Sequence, residues 1–143
     1  MSTEKLYTPE MLAAAVELAG VPPIENGSHH GSARSPTCGS TLDMDLVLDD
    51  SGAIARVGMK VRACAVGQAA AAIFARHAAG RGANDIRRTV DSFTAWLHSD
   101  GPAPDWPDID LIAPARDFRG RHGAMLLPWK AAMAALSSAA AAS

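Results

Sequence analysis

The chain is poor in cysteine and in aromatic residues. Its 143 residues include two Cys, one Tyr, three Phe and three Trp. Two cysteines, Cys38 and Cys64, exclude the disulfide framework of a small secreted domain and leave free thiols or metal ligands. No excess of either charge is present, since 13 Lys and Arg against 15 Asp and Glu give a formal net charge of −2. The broad basic footprint that nucleic acid requires is therefore missing. Long hydrophobic runs are missing too: no window reaches the roughly 18 to 20 apolar residues of a membrane span. The tail "AAMAALSSAAAAS" is too short and too weakly apolar to be one. The start, "MSTEKLYTPE", has no basic segment ahead of an apolar core, so no secretory leader is expected. What remains is ordinary, 48% apolar and 20% charged, as in a soluble globular protein. The expectation is one cytoplasmic domain over 1–143, with residues from about 137 to 143 frayed.

Along the chain, "TPEMLAAAVELAG" predicts a helix with Thr8 as N-cap, Pro9 in the first turn and Gly20 as its stop. "VPPIENGSHHGSARSPTCG" reads as loop or irregular edge strand. The clearest signal follows. Leu42, Met44, Leu46 and Leu48 alternate with more polar positions, "DDSG" is turn chemistry, and Val57, Met59 and Val61 alternate again. This predicts a hairpin over about 41–62. A helix from Cys64 to Gly80 comes next, then one capped at Asn84 or Asp85 carrying Ile86, Val90, Phe93 and Leu97. A short helix is expected around Ile109 to Ala113. The closing helix, in "AMLLPWKAAMAALSSA", tolerates Pro128 only if that residue lies in its first turn. The order predicts an α+β fold: a small antiparallel three-stranded sheet, an N-terminal helix, and a C-terminal run of helices on one face.

The hairpin brings the two cysteines to one end of the sheet, because one precedes its first strand and the other follows its second. Cys64 also opens a helix, where backbone amides and the dipole favour a thiolate. Free cysteines serve equally well as small buried hydrophobes. The pattern alone leaves the pair open between a site and core packing. Asp43 and Asp45 fall on the strand's outward face and read as solvated charges. Trp96, Trp106 and Trp129 read as packing, and His77 and His98 as structural or surface residues. "RGRH" (119–122) is a small basic cluster that suits a docking patch for an acidic partner.

"SPTCGS", then the hairpin, then "VRACAVGQAAAA", then "LLPWKAAMAAL" resembles the iron–sulfur cluster scaffold family of IscU, SufU and the N-terminal domain of NifU. The likeness runs from the first helix to about Leu136. It implies the family's α+β fold, and Cys38 and Cys64 as the first two ligands of a metal or cluster site. It also implies a [2Fe–2S] cluster or Zn²⁺ as the bound group. The implied partners are a cysteine desulfurase and acceptor or chaperone proteins.

The chain departs from the family at two points. The family's aspartate after the Cys-Gly pair is Ser40 here, and its third cysteine falls on Ala124, or on Gly123 after a one-residue shift that makes His122 the family histidine. The expected ligand set is therefore Cys38, Cys64 and His122, with His29 or His30 of "SHHG" as a further imidazole. The expected function is a divergent cluster scaffold or sulfur acceptor, not an enzyme. The alternatives are a docking or regulatory module that keeps the fold without assembling clusters, and a thiol–disulfide sensor using the Cys38–Cys64 pair.

Overall fold

The computed structural model describes residues 6–99 and 101–142, the last five by backbone alone. Helix α1 (Pro9–Val16) is followed by a 3₁₀ turn, Glu17–Gly20. Three strands come next: β1 (His29–Arg34), β2 (Thr41–Leu48) and β3 (Ile54–Arg62). Then follow α2 (Ala65–His77), α3 (Ala83–His98), three short 3₁₀ turns between Ile109 and Arg121, and α4 (His122–Ala142). The sheet order is β1-β2-β3, antiparallel throughout. The fold is thus the expected α+β arrangement, with the predicted hairpin at Thr41–Arg62.

Local chemistry explains most of these boundaries. Thr8 Oγ1 accepts from the Met11 N–H at 3.1 Å and caps α1, with Pro9 in the first turn. In the β2–β3 turn, Asp49 Oδ1 accepts from the N–H groups of Ser51 at 2.9 Å and Ala53 at 3.0 Å. Leu42, Met44 and Leu46 are fully buried, and each contributes about 2 kcal/mol of transfer free energy.

β1 was not expected as a regular strand, because "HHGSAR" carries no large apolar residue. Its inward face is small for a reason. A β-carbon on Gly31 would stand 2.2 Å from the Ala135 backbone nitrogen of α4. Helix α4 packs across β1 and β2 at a distance only glycine allows. On the helices' other side, α1 packs on α2, and α2 and α3 pack on α4. The three tryptophans belong to this core as expected: Phe74 stacks on Trp106 at 5.3 Å, and Trp129 meets Trp106 at 5.4 Å and Phe93 at 5.0 Å.

Three boundaries differ from the sequence reading. The α3 N-cap is Gly82, and Asp85 serves instead as the third helical residue, accepting from the Gly82 N–H at 3.4 Å. The expected short helix is two 3₁₀ turns, Ile109–Leu111 and Ala113–Asp117. Helix α4 begins at His122, so Pro128 lies inside it, beyond the first turn. Proline has no N–H to offer the carbonyl four residues back, so the Ala124 carbonyl loses its usual intrahelical donor. The expected frayed tail lies, from residue 138, outside the described side chains, and Ser143 lies outside altogether.

Candidate functional site at the end of the sheet

Thr41 is the register partner of Arg34 on one side and of Arg62 on the other. Cys38 lies three residues before this rung and Cys64 two residues after it, so both start from one end of the sheet, as the hairpin predicted. Residues 35–40 form the β1–β2 loop. The Ser35 N–H donates to the Ser40 carbonyl and the Gly39 N–H to the Ser35 carbonyl, both at 2.8 Å. Gly39 takes φ of +71°, a left-handed value that closes the loop without steric cost.

Inside this loop the Cys38 thiol lies between two hydroxyls. Its S–H donates to Ser35 Oγ at 3.3 Å, and its sulfur shares a hydrogen bond with Ser40 Oγ at 3.0 Å. Ser35 and Ser40 are 1% and 4% exposed, and hydroxyls at that depth require partners. Cys38 itself is half-buried. Burial pushes its thiol up, but hydrogen bonds from Ser35, from Ser40 and from the Ser40 backbone outweigh this. The Arg121 charge adds to them, and the net effect holds the thiol below its ordinary range. The arrangement favours a thiolate at Cys38.

Cys64 is the N-cap of α2, with extended backbone (ψ 172°) and no capping hydrogen bond from its side chain. Gln68 fixes this corner. Its Nε2 donates to the Ala63 carbonyl at 2.9 Å and its backbone N–H to the Cys64 carbonyl at 3.0 Å. Both cysteines are free and half-buried.

The start of α4 is wedged between the two cysteine segments. A β-carbon on Gly123 would stand 2.3 Å from Ser35 Oγ, and one on Gly67 would stand 3.5 Å from Ala124 Cβ. Both positions expected for a third family cysteine therefore lie at this corner, filled by residues without a thiol. His122 is the first residue of α4, where the sequence reading had it in a loop. Its Nε2 donates to the Arg116 carbonyl at 2.6 Å, since a carbonyl only accepts. Nδ1 is then the ring nitrogen with a lone pair, the arrangement that commonly orients a ligating histidine. Among the described residues no group of three or more His, Cys, Asp or Glu side chains could hold a metal ion.

The other candidates lie elsewhere. His29 and His30 belong to β1, not to a loop, and pair with Leu46 and Asp45. His30 is five residues from Ser35 along an extended strand, about 17 Å, too far for either histidine to serve the cysteines. His30 Nδ1 meets Asp45 Oδ1 at 2.8 Å, and Asp45 also accepts from the Ile24 N–H at 3.2 Å. Asp43 accepts from Ser32 Oγ at 2.5 Å. The two aspartates face outward as expected, but they are cross-strand acceptors and not simply solvated charges. His77 bonds Asp108 at 2.7 Å, and His98 is exposed.

Sequence reasoning missed Ser35. The available signal was the serine on each side of the cysteine in "SPTCGS". It also missed that the 119–121 turn lies beside the loop, where a β-carbon on Gly120 would be 4.0 Å from Thr37 Cγ2.

No protein-family model and no curated protein matches the chain. Solved structures do. The crystal structure of a nitrogen-fixing NifU-like protein (N-terminal) from Brucella abortus is similar over 100% of both chains, with 26% identity and a TM-score of 0.89. A protein assigned as an iron–sulfur cluster assembly scaffold for the SUF system of Fervidobacterium islandicum is 18% identical, with a TM-score of 0.75 over 92% of this chain and 96% of that one. The second likeness bears on the fold alone. Three-stranded sheet, helix order and full-length likeness agree: the chain has the fold of the NifU-like N-terminal structure and is similar to it over its whole length.

Proposed function

We propose that this chain is a divergent iron–sulfur assembly protein that accepts sulfur at Cys38 from a cysteine desulfurase and binds iron or zinc weakly between Cys38 and Cys64. The observation that carries this reading is the Cys38 thiol, held between the buried hydroxyls of Ser35 and Ser40 and below its ordinary pKa. A thiolate is the form that attacks sulfur.

The transfer balances without any outside oxidant. The Cys38 thiolate attacks the outer sulfur of a persulfide on the donor protein. A new S–S bond forms at Cys38, the donor's S–S bond breaks, and its electron pair leaves on the donor cysteine as thiolate. The serine hydroxyls donate to the attacking sulfur and hold it in place. The chain carries sulfur and does not turn it over, so it acts as a scaffold or carrier and not as an enzyme.

Iron and the cluster are cargo in this reading. A [2Fe–2S] cluster takes four ligands, mainly thiolates, and this chain offers two. His122 stands at the same corner with Nε2 held by the Arg116 carbonyl, but it makes no three-residue metal group with the two cysteines among the described residues, and Ser40 replaces a carboxylate with a weaker donor. Such a set suits a labile site. The test is anaerobic purification without an affinity tag, with zinc, iron and acid-labile sulfide measured for the wild type, Cys38→Ala and Cys64→Ala. Metal lost in both variants supports the reading, and a wild type that stays empty after reconstitution refutes the metal-binding half of it.

A second reading has its own supporting observation. Gly123 and Ala124 fill the corner without a third thiol, and no three-residue metal group exists among the described residues. That favours a docking or regulatory module that has kept the fold and given up assembly.

A further inference from the structure

The cysteine end carries four arginines whose charges have no acidic partner among the described residues. Arg34 and Arg62 flank Thr41 on the two neighbouring strands, about 10 Å apart across two strand spacings. Arg119 and Arg121 lie on the turn that enters α4, beside Thr37 of the Cys38 loop. Arg34, Arg62 and Arg119 are exposed. Arg121 is half-buried, and its Nη2 donates to Tyr7 Oη at 3.4 Å.

Elsewhere Arg56 and Arg87 stand singly without an ion pair among the described residues, and other arginines are engaged. Arg76 pairs with Glu17 and Asp108, Arg88 pairs with Asp85, and Arg81 stacks on Trp106 at 4.4 Å. Around Cys38 no such pairing occurs among the described residues. The nearby acids are Asp43, already bonded to Ser32 and opposite Lys60, and Asp117, two residues before Arg119. In a chain with net charge −2, four of the ten arginines gather at the end that holds the thiol.

We propose that this arginine rim is the docking surface for an acidic face of the protein that delivers sulfur to Cys38. The inference rests on the sulfur-acceptor reading and adds the chemistry of the partner. Unpaired guanidinium groups keep their charge available for carboxylates, which they bind in a two-pronged fashion. Placed around the acceptor thiol, they raise the encounter rate and orient the partner over Cys38. The rim is small, interrupted by Asp43 and Asp117, and centred on a thiol. That fits a protein carrying a reactive sulfur better than a nucleic-acid backbone.

The probe is a purified cysteine desulfurase from the same organism, titrated against the wild type, Arg34→Glu/Arg62→Glu, Arg119→Glu and Arg34→Lys/Arg62→Lys. Each titration is run at low and at high salt. The rim predicts roughly tenfold or greater weakening for each glutamate variant and a comparable loss at high salt, with a smaller loss in the lysine variant, which keeps the charge but not the two-pronged geometry. Unchanged thermal midpoints for these exposed positions establish that the variants fold. Wild-type binding that ignores both salt and charge reversal overturns this inference alone. A wild type that does not bind the desulfurase overturns it together with the sulfur-acceptor reading. Equally tight binding of single-stranded DNA or anionic vesicles overturns it as well.

Discussion

Gly123 faces Ser35 so closely that a β-carbon at position 123 would stand 2.3 Å from the serine hydroxyl and 3.0 Å from its β-carbon. That contact seats α4 on the Cys38 loop, at one of the two alternative positions expected for the family's third cysteine. The same serine supports the Cys38 sulfur. The packing at position 123 and the setting of Cys38 are thus linked through one side chain.

Restoring a thiol here therefore has a cost. Gly123→Cys should destabilise the fold by about 1–3 kcal/mol, the usual range for overpacking. In combination with Ser35→Gly most of that loss should be recovered, because the obstructing atoms are gone. Urea denaturation of the two single variants and the double variant measures the coupling. Additive losses would mean that Ser35 is not what the new side chain meets.

The Cys38 thiolate should be detectable by its reactivity. Iodoacetamide alkylation of Cys64→Ala, followed against pH, should reach half its maximal rate below the ordinary cysteine value. Ser40→Ala should move that midpoint upward, since a hydrogen bond to the charged form is lost. Ser40→Asp should move it further up, because a carboxylate opposes a second negative charge. The stability sign follows from a depressed acid. Cys38 contributes nothing below its folded pKa, contributes increasingly above it, and contributes fully above the unfolded value of about 8.5.

At the opposite end of α2, Asp108 ties His77 and Arg76 together, and Arg76 also holds Glu17. The His77 bond draws the Asp108 carboxyl down against its burial, and Arg76 adds to the effect. This stabilisation is complete above the unfolded carboxylate value and disappears as pH falls through the folded one. Asp108 has φ of +68°, which Asn also tolerates, so Asp108→Asn isolates the charge. Wild type and variant should differ in thermal midpoint at neutral pH and converge in acid. A difference independent of pH would assign the effect to something other than the carboxylate.

Gly31→Ala tests the close seat of α4. The new methyl would meet backbone atoms of Ala131 and Ala135, which cannot rotate away. A loss of about 3 kcal/mol or more in urea denaturation is expected, above the usual overpacking range. A neutral result would mean that α4 can lift from β1 without cost.

The parts legible in the sequence were those with strong periodicity. Leu42, Met44 and Leu46 fixed the inward face of β2, and the hairpin carried Cys38 and Cys64 to one end. β1 was hard to read because its inward residues, Gly31 and Ala33, are small to admit a helix more than 90 residues later in the chain. No local pattern reports that. The start of α4 was placed too late because Pro128 reads as a first-turn residue, whereas six residues of the helix precede it. His122 accordingly moved from loop to helix, and its Nε2 turned to the Arg116 carbonyl. The placement of both cysteines at one end of the sheet was recoverable from the hairpin. The supporting Ser35 and the proximity of Arg121 depend on how the loop folds back, which spacing does not encode.

The most direct test of the central claim is mass spectrometry after incubation with a cysteine desulfurase and cysteine under anaerobic conditions. The account predicts one added sulfur atom on the peptide containing Cys38, retained in Cys64→Ala, absent in Cys38→Ala and reduced in Ser40→Ala. A wild type that gains no sulfur, or gains it on Cys64 with Cys38 unmodified, would contradict it.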